Sequence, residues 1–152
     1  MRRSDKEINS QRLILKILEE AEVCRIALCE HGKPYIVPMN FGFVDKTLYL
    51  HSATSGRKIE IIAKNNNVCF QMDIKTQLVT AENPCNWGMR YLSVIGSGQA
   101  QLINDQQDKM EALDIIMSKY SEKSFEYSPE ALDSIMVIKV EIEEITGKKS
   151  GY

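Results

Sequence analysis

The stretch Val37 to Lys58, VPMNFGFVDKTLYLHSATSGRK, decides how this chain is read. Tyr35 to Val44 is rich in β-branched and aromatic residues, and Thr47 to His51 alternates in the same style, which predicts two strands. Asp45-Lys46 between them is the expected tight turn, so the pair reads as a hairpin. Pro38 has no N–H for a ladder, so one edge of the first strand must be open or bulged there. Gly42 leaves room for another group to approach the backbone. An open edge beside a glycine offers a place for a flat ring.

The next residues form a loop. Ser52, Thr54 and Ser55 supply hydroxyls, and Gly56 supplies a flexible backbone. Arg57-Lys58 then opens the run RKIEIIAKN, in which Ile59, Ile62 and Ala63 have helical spacing, with Ser55 as the expected N-cap. A helix N-terminus has unpaired N–H groups and a partial positive charge, and two cations add charge-assisted bonds, so an anionic phosphate would suit it. These residues leave two readings open, a phosphate site or a solvated capped loop, because a charged pair after a turn is more often plain surface.

Working outward, Asn9 or Ser10 can cap a helix running to about Ala21, with Leu13, Ile14, Ile17, Leu18 and Ala21 on one face. Cys24 to Cys29 reads as a strand, and His31 to Pro34 as a turn into Tyr35. Beyond the Arg57 helix, Asn65-Asn66-Asn67 is expected to stop it with a left-handed cap. Val68 to Ile74 alternates cleanly as a strand, and Lys75 to Met89, which holds Trp87, reads as irregular. Arg90 to Ile103 is a long strand interrupted by Gly96 and Gly98, a pair that fits either a barrel corner or a ligand contact. Asn104 or Asp105 caps a second long helix with Met110, Leu113, Ile116, Met117 and Tyr120 on its apolar side. Ser121 to Pro129 is loop-like. Ile135 to Ile145 is the last strand, with Ile138, Val140 and Ile142 inward, followed by a tail carrying Lys148 and Lys149. Strands follow strands and helices are few, so an antiparallel barrel with helices packed outside is the expected closure.

A chain of 152 residues makes one domain, residues 1–152. Its net charge of -2 lacks the basic excess of a nucleic-acid binder. No run of about twenty apolar residues offers a membrane helix, and MRRSDKEINS has no apolar segment of the secretory kind. The four cysteines are too few and too scattered for a disulfide scaffold, which predicts free thiols in a reducing cytoplasm. With only His31 and His51, no zinc set is legible. There is no G-x-S-x-G, H-E-x-x-H or P-loop, so no catalytic residue is assigned. If the protein is an enzyme, a cofactor carries the chemistry and the chain supplies binding and orientation.

In the same order, VPMNFGF, LYLHSATSGRKIE, VCFQMD, W-x-x-R-Y-x-S-V-x-G-x-G and a closing I-T-G-K-K-S resemble the pyridoxamine 5'-phosphate oxidase-related flavoproteins, and in particular their small nitroimidazole-resistance branch. The resemblance runs from Arg2-Arg3 to the tail. It implies a mainly β fold, an antiparallel six-stranded FMN-binding split barrel of Greek-key type, forming a homodimer with FMN at the interface. It implies that Ser52, Arg57 and Lys58 hold the phosphate, with His51 and Ala53 lining the entry. Val37, Pro38, Met39 and Asn40 would hold the ring edge, where the Asn40 amide can pair with donors and acceptors. The segment with Trp87, Tyr91 and Ser93, together with the tail lysines, would come from the partner. The implied function is an FMN-dependent oxidoreductase that takes electrons from NAD(P)H to small nitroaromatic or quinone-like acceptors. The alternatives are a flavin- or haem-binding module without turnover, and a pyridoxamine-phosphate oxidase. No second Arg and Tyr cluster matches the site where true pyridoxamine-phosphate oxidases grip their substrate, which weighs against the last.

Overall fold

The computed structural model describes residues 3–152; Arg2, where the resemblance begins, lies outside the described residues. The elements are β1 (Glu7–Ile8), α1 (Gln11–Glu20), β2 (Cys24–Glu30), β3 (Lys33–Met39), β4 (Phe41–Val44), β5 (Thr47–Ala53), α2 (Arg57–Lys64), β6 (Asn67–Val79), β7 (Gly88–Ile103), α3 (Gln106–Tyr120), α4 (Pro129–Asp133) and β8 (Ile135–Ser150). All strand pairs are antiparallel, in the order β3-β2-β6-β7-β8-β5-β4, with β1 added to β8. The two end strands, β3 and β4, are separated only by Asn40, so the sheet closes through the chain rather than through a ladder. This is a split barrel. The six expected strands are recovered when β3 and β4 are taken as one and the two-residue β1 is set aside.

The core fills the barrel. Val68, Phe70, Met72 and Ile74 of β6 point inward, as do Ile26 and Leu28 of β2, Leu48 and Leu50 of β5, and Ile138 and Val140 of β8. The apolar face of α1 (Ile14, Ile17, Leu18) and that of α2 (Ile59, Ile61, Ile62) join the same cluster. A smaller cluster of Leu113, Ile116 and Leu132 packs α3 and α4 over β5 and β8. Asp45 and Lys46 both have positive φ (45° and 65°), the twist that a two-residue hairpin turn demands.

Several expectations give way. Tyr35 to Val44 is not one strand: β3 pairs with β2 and β4 with β5, and the chain changes partner at Asn40. Pro38 sits on the terminal strand of the sheet, which accounts for its tolerance. The room at Gly42 is taken by protein, since a Cβ there would lie 2.7 Å from the Ile115 backbone of α3; no ring could lie there. The N-cap of α2 is Gly56 (φ 116°) rather than Ser55, and no side chain bonds its first N–H groups. Asn65 ends α2 in an extended conformation, donating its amide to the Cys29 carbonyl instead of adopting a left-handed cap. The region Lys75 to Met89 is partly ordered, because β6 continues to Val79 and pairs with Gly88 to Arg90 as a hairpin arm. The tail is strand, since β8 runs on to Ser150. The short helix α4, capped by Ser128, was not anticipated.

Gly96 and Gly98 serve packing. A Cβ at Gly96 would fall 2.3 Å from the Phe70 ring, and one at Gly98 would fall 2.0 Å from the Glu141 carbonyl. The register of β7 on β8 slips between Ser97 and Gly98, which bends the pair at the barrel corner.

Candidate functional site

The sequence-derived residues gather into two groups. The first lies where β5 runs out and α2 begins. His51, Ser52 and Ala53 close β5, and the loop then delivers Arg57 and Lys58 to the first turn of α2. Asn40 stands beside them, because carrying the Phe41↔Leu50 register one step further sets Asn40 opposite His51. Arg57 stacks its guanidinium 4.5 Å over the Tyr35 ring, which ties β3 to the same corner. Tyr35 was not anticipated as part of this group; its aromatic side chain two residues before Val37 was the available signal.

Not all of these side chains face outward. Met39 is buried in the core and offers a ligand only its main chain, while Val37 is half-buried and packs against the same core. Pro38, Asn40, His51, Ala53 and Arg57 are exposed, and Ser52 and Lys58 are half-buried. Among the described residues, no ion pair or side-chain hydrogen bond engages Asn40, His51, Ser52, Arg57 or Lys58. The first N–H groups of α2 also lack a side-chain cap. Two cations, a hydroxyl and open helix N–H groups therefore share one corner; Glu60 stands in the same helical turn but pairs with neither cation. The arrangement is suited to a phosphate dianion.

Burial lowers the Lys58 pKa. Although His51 is exposed, the surrounding protein removes part of its hydration; that first, and then the charge of Lys58, lowers its pKa. Between about pH 6.5 and the depressed folded value, the unfolded chain holds a proton at His51 that the folded chain does not. Stability is therefore expected to fall as pH drops through that window. Melting curves between about pH 7.5 and 5 should show His51→Gln to be less sensitive to acid than the parent, and an NMR titration should show the His51 midpoint rising in Lys58→Met.

Asn40 is held from behind. The Phe41 N–H donates to the Tyr120 hydroxyl (3.0 Å), which in turn donates to the Glu22 carbonyl (2.9 Å). Lys119 donates to the carbonyls of Leu18 and Glu19 and lies 4.4 Å above the Phe41 ring. Asn40 opens onto a depression of about 540 Å³ lined also by Tyr120, Lys119, Glu19, Glu22 and Val23. Tyr120→Phe strips the acceptor from the Phe41 N–H and the donor from the Glu22 carbonyl. Denaturant titration should show a loss of about 1–3 kcal/mol.

The second group lies on the outer face of β6, β7 and β8. Tyr91 and Ser93 share a depression of about 400 Å³ with Lys148, Asp73, Met89 and Ile95. Ser93 stands in one cross-strand row with Asp73 and Lys148. Asp73 is satisfied by Arg25 (2.9 Å) and Gln71 (2.9 Å), and the Lys148 amine lies 6.0 Å from the Tyr91 ring centre. Trp87 stands further out on the arm, 51% exposed, its indole N–H donating to the Ala81 carbonyl (2.7 Å). Met89 and Ile95, 45% and 49% exposed, continue an apolar surface the sequence reading missed; their alternation with Tyr91 and Ser93 was the available signal.

The two groups do not meet within one chain. Ala53 pairs with Ile135 and Ser93 with Lys148, at opposite ends of β8, roughly 40 Å apart along the strand.

The fold and the corner at the start of α2 together define a split-barrel protein with an open, anion-suited site. Residues 10–149 match the family described as pyridoxamine 5'-phosphate oxidase, and the chain belongs to that family. It is similar to a provisionally described 5-nitroimidazole antibiotic resistance protein from Bacteroides thetaiotaomicron, with 39% identity and a TM-score of 0.85, over 94% of this chain and 86% of that one. The fold is shared with a flavocytochrome from Azotobacter vinelandii (20% identity, TM-score 0.85, 100% of this chain and 72% of that one). It is shared equally with an FAD- and haem-binding protein from Mycobacterium smegmatis (19% identity, TM-score 0.87, 97% and 74%). No curated protein matches the chain. Among the described residues no helix is long and apolar enough to cross a membrane, and no group of three or more His, Cys, Asp or Glu could hold a metal ion.

Proposed function

We propose that this chain binds FMN and works as a homodimeric, cytoplasmic oxidoreductase, passing electrons from NAD(P)H to small nitroaromatic or quinone-like acceptors. The observation that carries the reading is the corner at α2: uncapped helix N–H groups, the Ser52 hydroxyl and the unpaired cations Arg57 and Lys58. In this reading these groups hold the phosphate. Asn40 and the main chain of Val37 to Met39 meet the ring edge, and His51 and Ala53 line the entry. Bound FMN would supply the electron acceptance and delivery for which the chain has no side-chain set of its own. The residues bind and orient it, and a flat acceptor stacks where water is displaced.

The separation of the two groups along β8 supports the dimer. A ligand touching both corners is most simply held between copies, each giving one group to the other's site. The exposed Trp87, Met89 and Ile95 then find cover.

Purified protein should be yellow, or should acquire a bound-flavin spectrum when FMN is added, and NADH or NADPH should bleach it. A colourless protein that leaves the FMN spectrum unchanged rules the reading out. The family description favours pyridoxamine 5'-phosphate oxidation as a second reading. Peroxide release from pyridoxamine phosphate and oxygen, with no turnover of nitroaromatics, would put it first.

A further inference from the structure

The arm that carries Trp87 leaves the barrel at a defined bend. β6 pairs regularly with β7 as far as Ile74↔Leu92 and resumes at Gln77↔Arg90, so Lys75 and Thr76 together oppose Tyr91. This is a bulge, and Lys75 adopts φ 54° in it, a left-handed conformation that a lysine does not favour. β8 stops at Ser150, opposite Tyr91. Past that point the arm is a two-stranded ribbon, Gln77–Val79 against Gly88–Arg90, with no third strand; such ribbons have little stability of their own.

Residues 150–152 cross this bend. Gly151 turns the backbone (φ 72°), and its carbonyl accepts from Arg90 Nε at 2.9 Å. The Tyr152 ring then lies under the Arg90 guanidinium at 4.5 Å. Its hydroxyl donates to the Lys75 carbonyl at 2.9 Å. The segment after β8 thus passes over β7 and fastens onto β6, tying β8 to a strand with which it does not pair. It does so at the one residue whose conformation sets the bend.

We propose that Tyr152 is a positioning residue: as a strap across the Lys75 bulge, it sets the angle of the Trp87 arm. That the arm in turn covers the flavin of a partner copy rests on the proposed function. The strap itself does not.

Trp87 is the only tryptophan, so its fluorescence reports on the arm alone. Time-resolved anisotropy is measured on the flavin-free 152-residue chain for the parent, Tyr152→Phe and Tyr152→Ala. Tyr152→Phe keeps the ring under Arg90 and loses only the bond to Lys75. The strap predicts a larger amplitude of fast local motion at Trp87 in Tyr152→Ala, an intermediate value in Tyr152→Phe, and unchanged far-ultraviolet circular dichroism. Parent-like anisotropy in Tyr152→Ala overturns it. FMN titration separates the two ideas. About a tenfold loss of affinity in Tyr152→Ala supports strap and arm placement together. Loosened anisotropy with parent affinity supports the strap and removes the arm from the flavin site.

Discussion

Replacing Arg57 and Lys58 together with alanine is expected to weaken FMN binding by roughly 3 kcal/mol or more, a loss beyond about 100-fold. Each charge-assisted bond to a phosphate is worth about 1.5–3 kcal/mol. Both cations stand at the start of α2 without a carboxylate partner among the described residues, so their removal leaves no orphaned acid, and the fold loses only the stacking of Arg57 on Tyr35. The sharper half of the expectation is the control. Riboflavin shares the ring and ribityl chain but lacks the phosphate, so its affinity should be nearly the same for mutant and parent. Fluorescence quenching titrations with both ligands give the comparison. Equal weakening of the two would mean that the corner supports the barrel rather than the phosphate.

Gly98→Ala is expected to destabilise the fold by about 3 kcal/mol or more, beyond the usual range for one added methyl group in a packed site. The new Cβ would fall 2.0 Å from the Glu141 carbonyl oxygen and 2.9 Å from its carbon, both backbone atoms of β8 that no rotamer change can move. Relief requires β7 and β8 to separate at the slip between Ser97 and Gly98, where the two strands bend together. Urea unfolding read by circular dichroism gives the cost. The same substitution decides between the two readings the sequence left for this glycine pair: a ligand-contacting Gly98 would lose FMN affinity and keep its unfolding midpoint.

Much of the frame could be read from residue order because side chains repeat with the element. The period-2 run in β6 buries Val68, Phe70, Met72 and Ile74, and the Asp45-Lys46 turn and the Ser10 cap of α1 fall where expected. The break at Asn40 left no such mark. Met39 and Phe41 both point inward and Asn40 outward, so the alternation runs straight through the point where the ladder partner changes. What takes up the Phe41 N–H there is Tyr120, a residue far along the chain on another element. The Lys75 bulge was hidden for a similar reason, since a lysine in a left-handed conformation carries no glycine or asparagine signature. At the candidate site, the adjacent cations Arg57 and Lys58 were legible as a local pattern. The grouping of Tyr91 and Ser93 with Lys148 depends on the β7–β8 register, because the lysine sits on a strand that was read as a tail.

β8 is the ladder partner of β1, β5 and β7 at once. Until residues 135–150 have left the ribosome, β5 and β7 each present an unpaired edge, and the interior lacks Ile138 and Val140. Synthesis therefore holds the nascent polypeptide open until β8 has emerged, with its most adhesive surfaces bare. Closure then waits on pairings of large sequence separation, which form slowly. A late-arriving keystone of this kind makes assembly nearly all-or-none: shortened versions should be aggregation-prone rather than smaller, weaker copies of the whole.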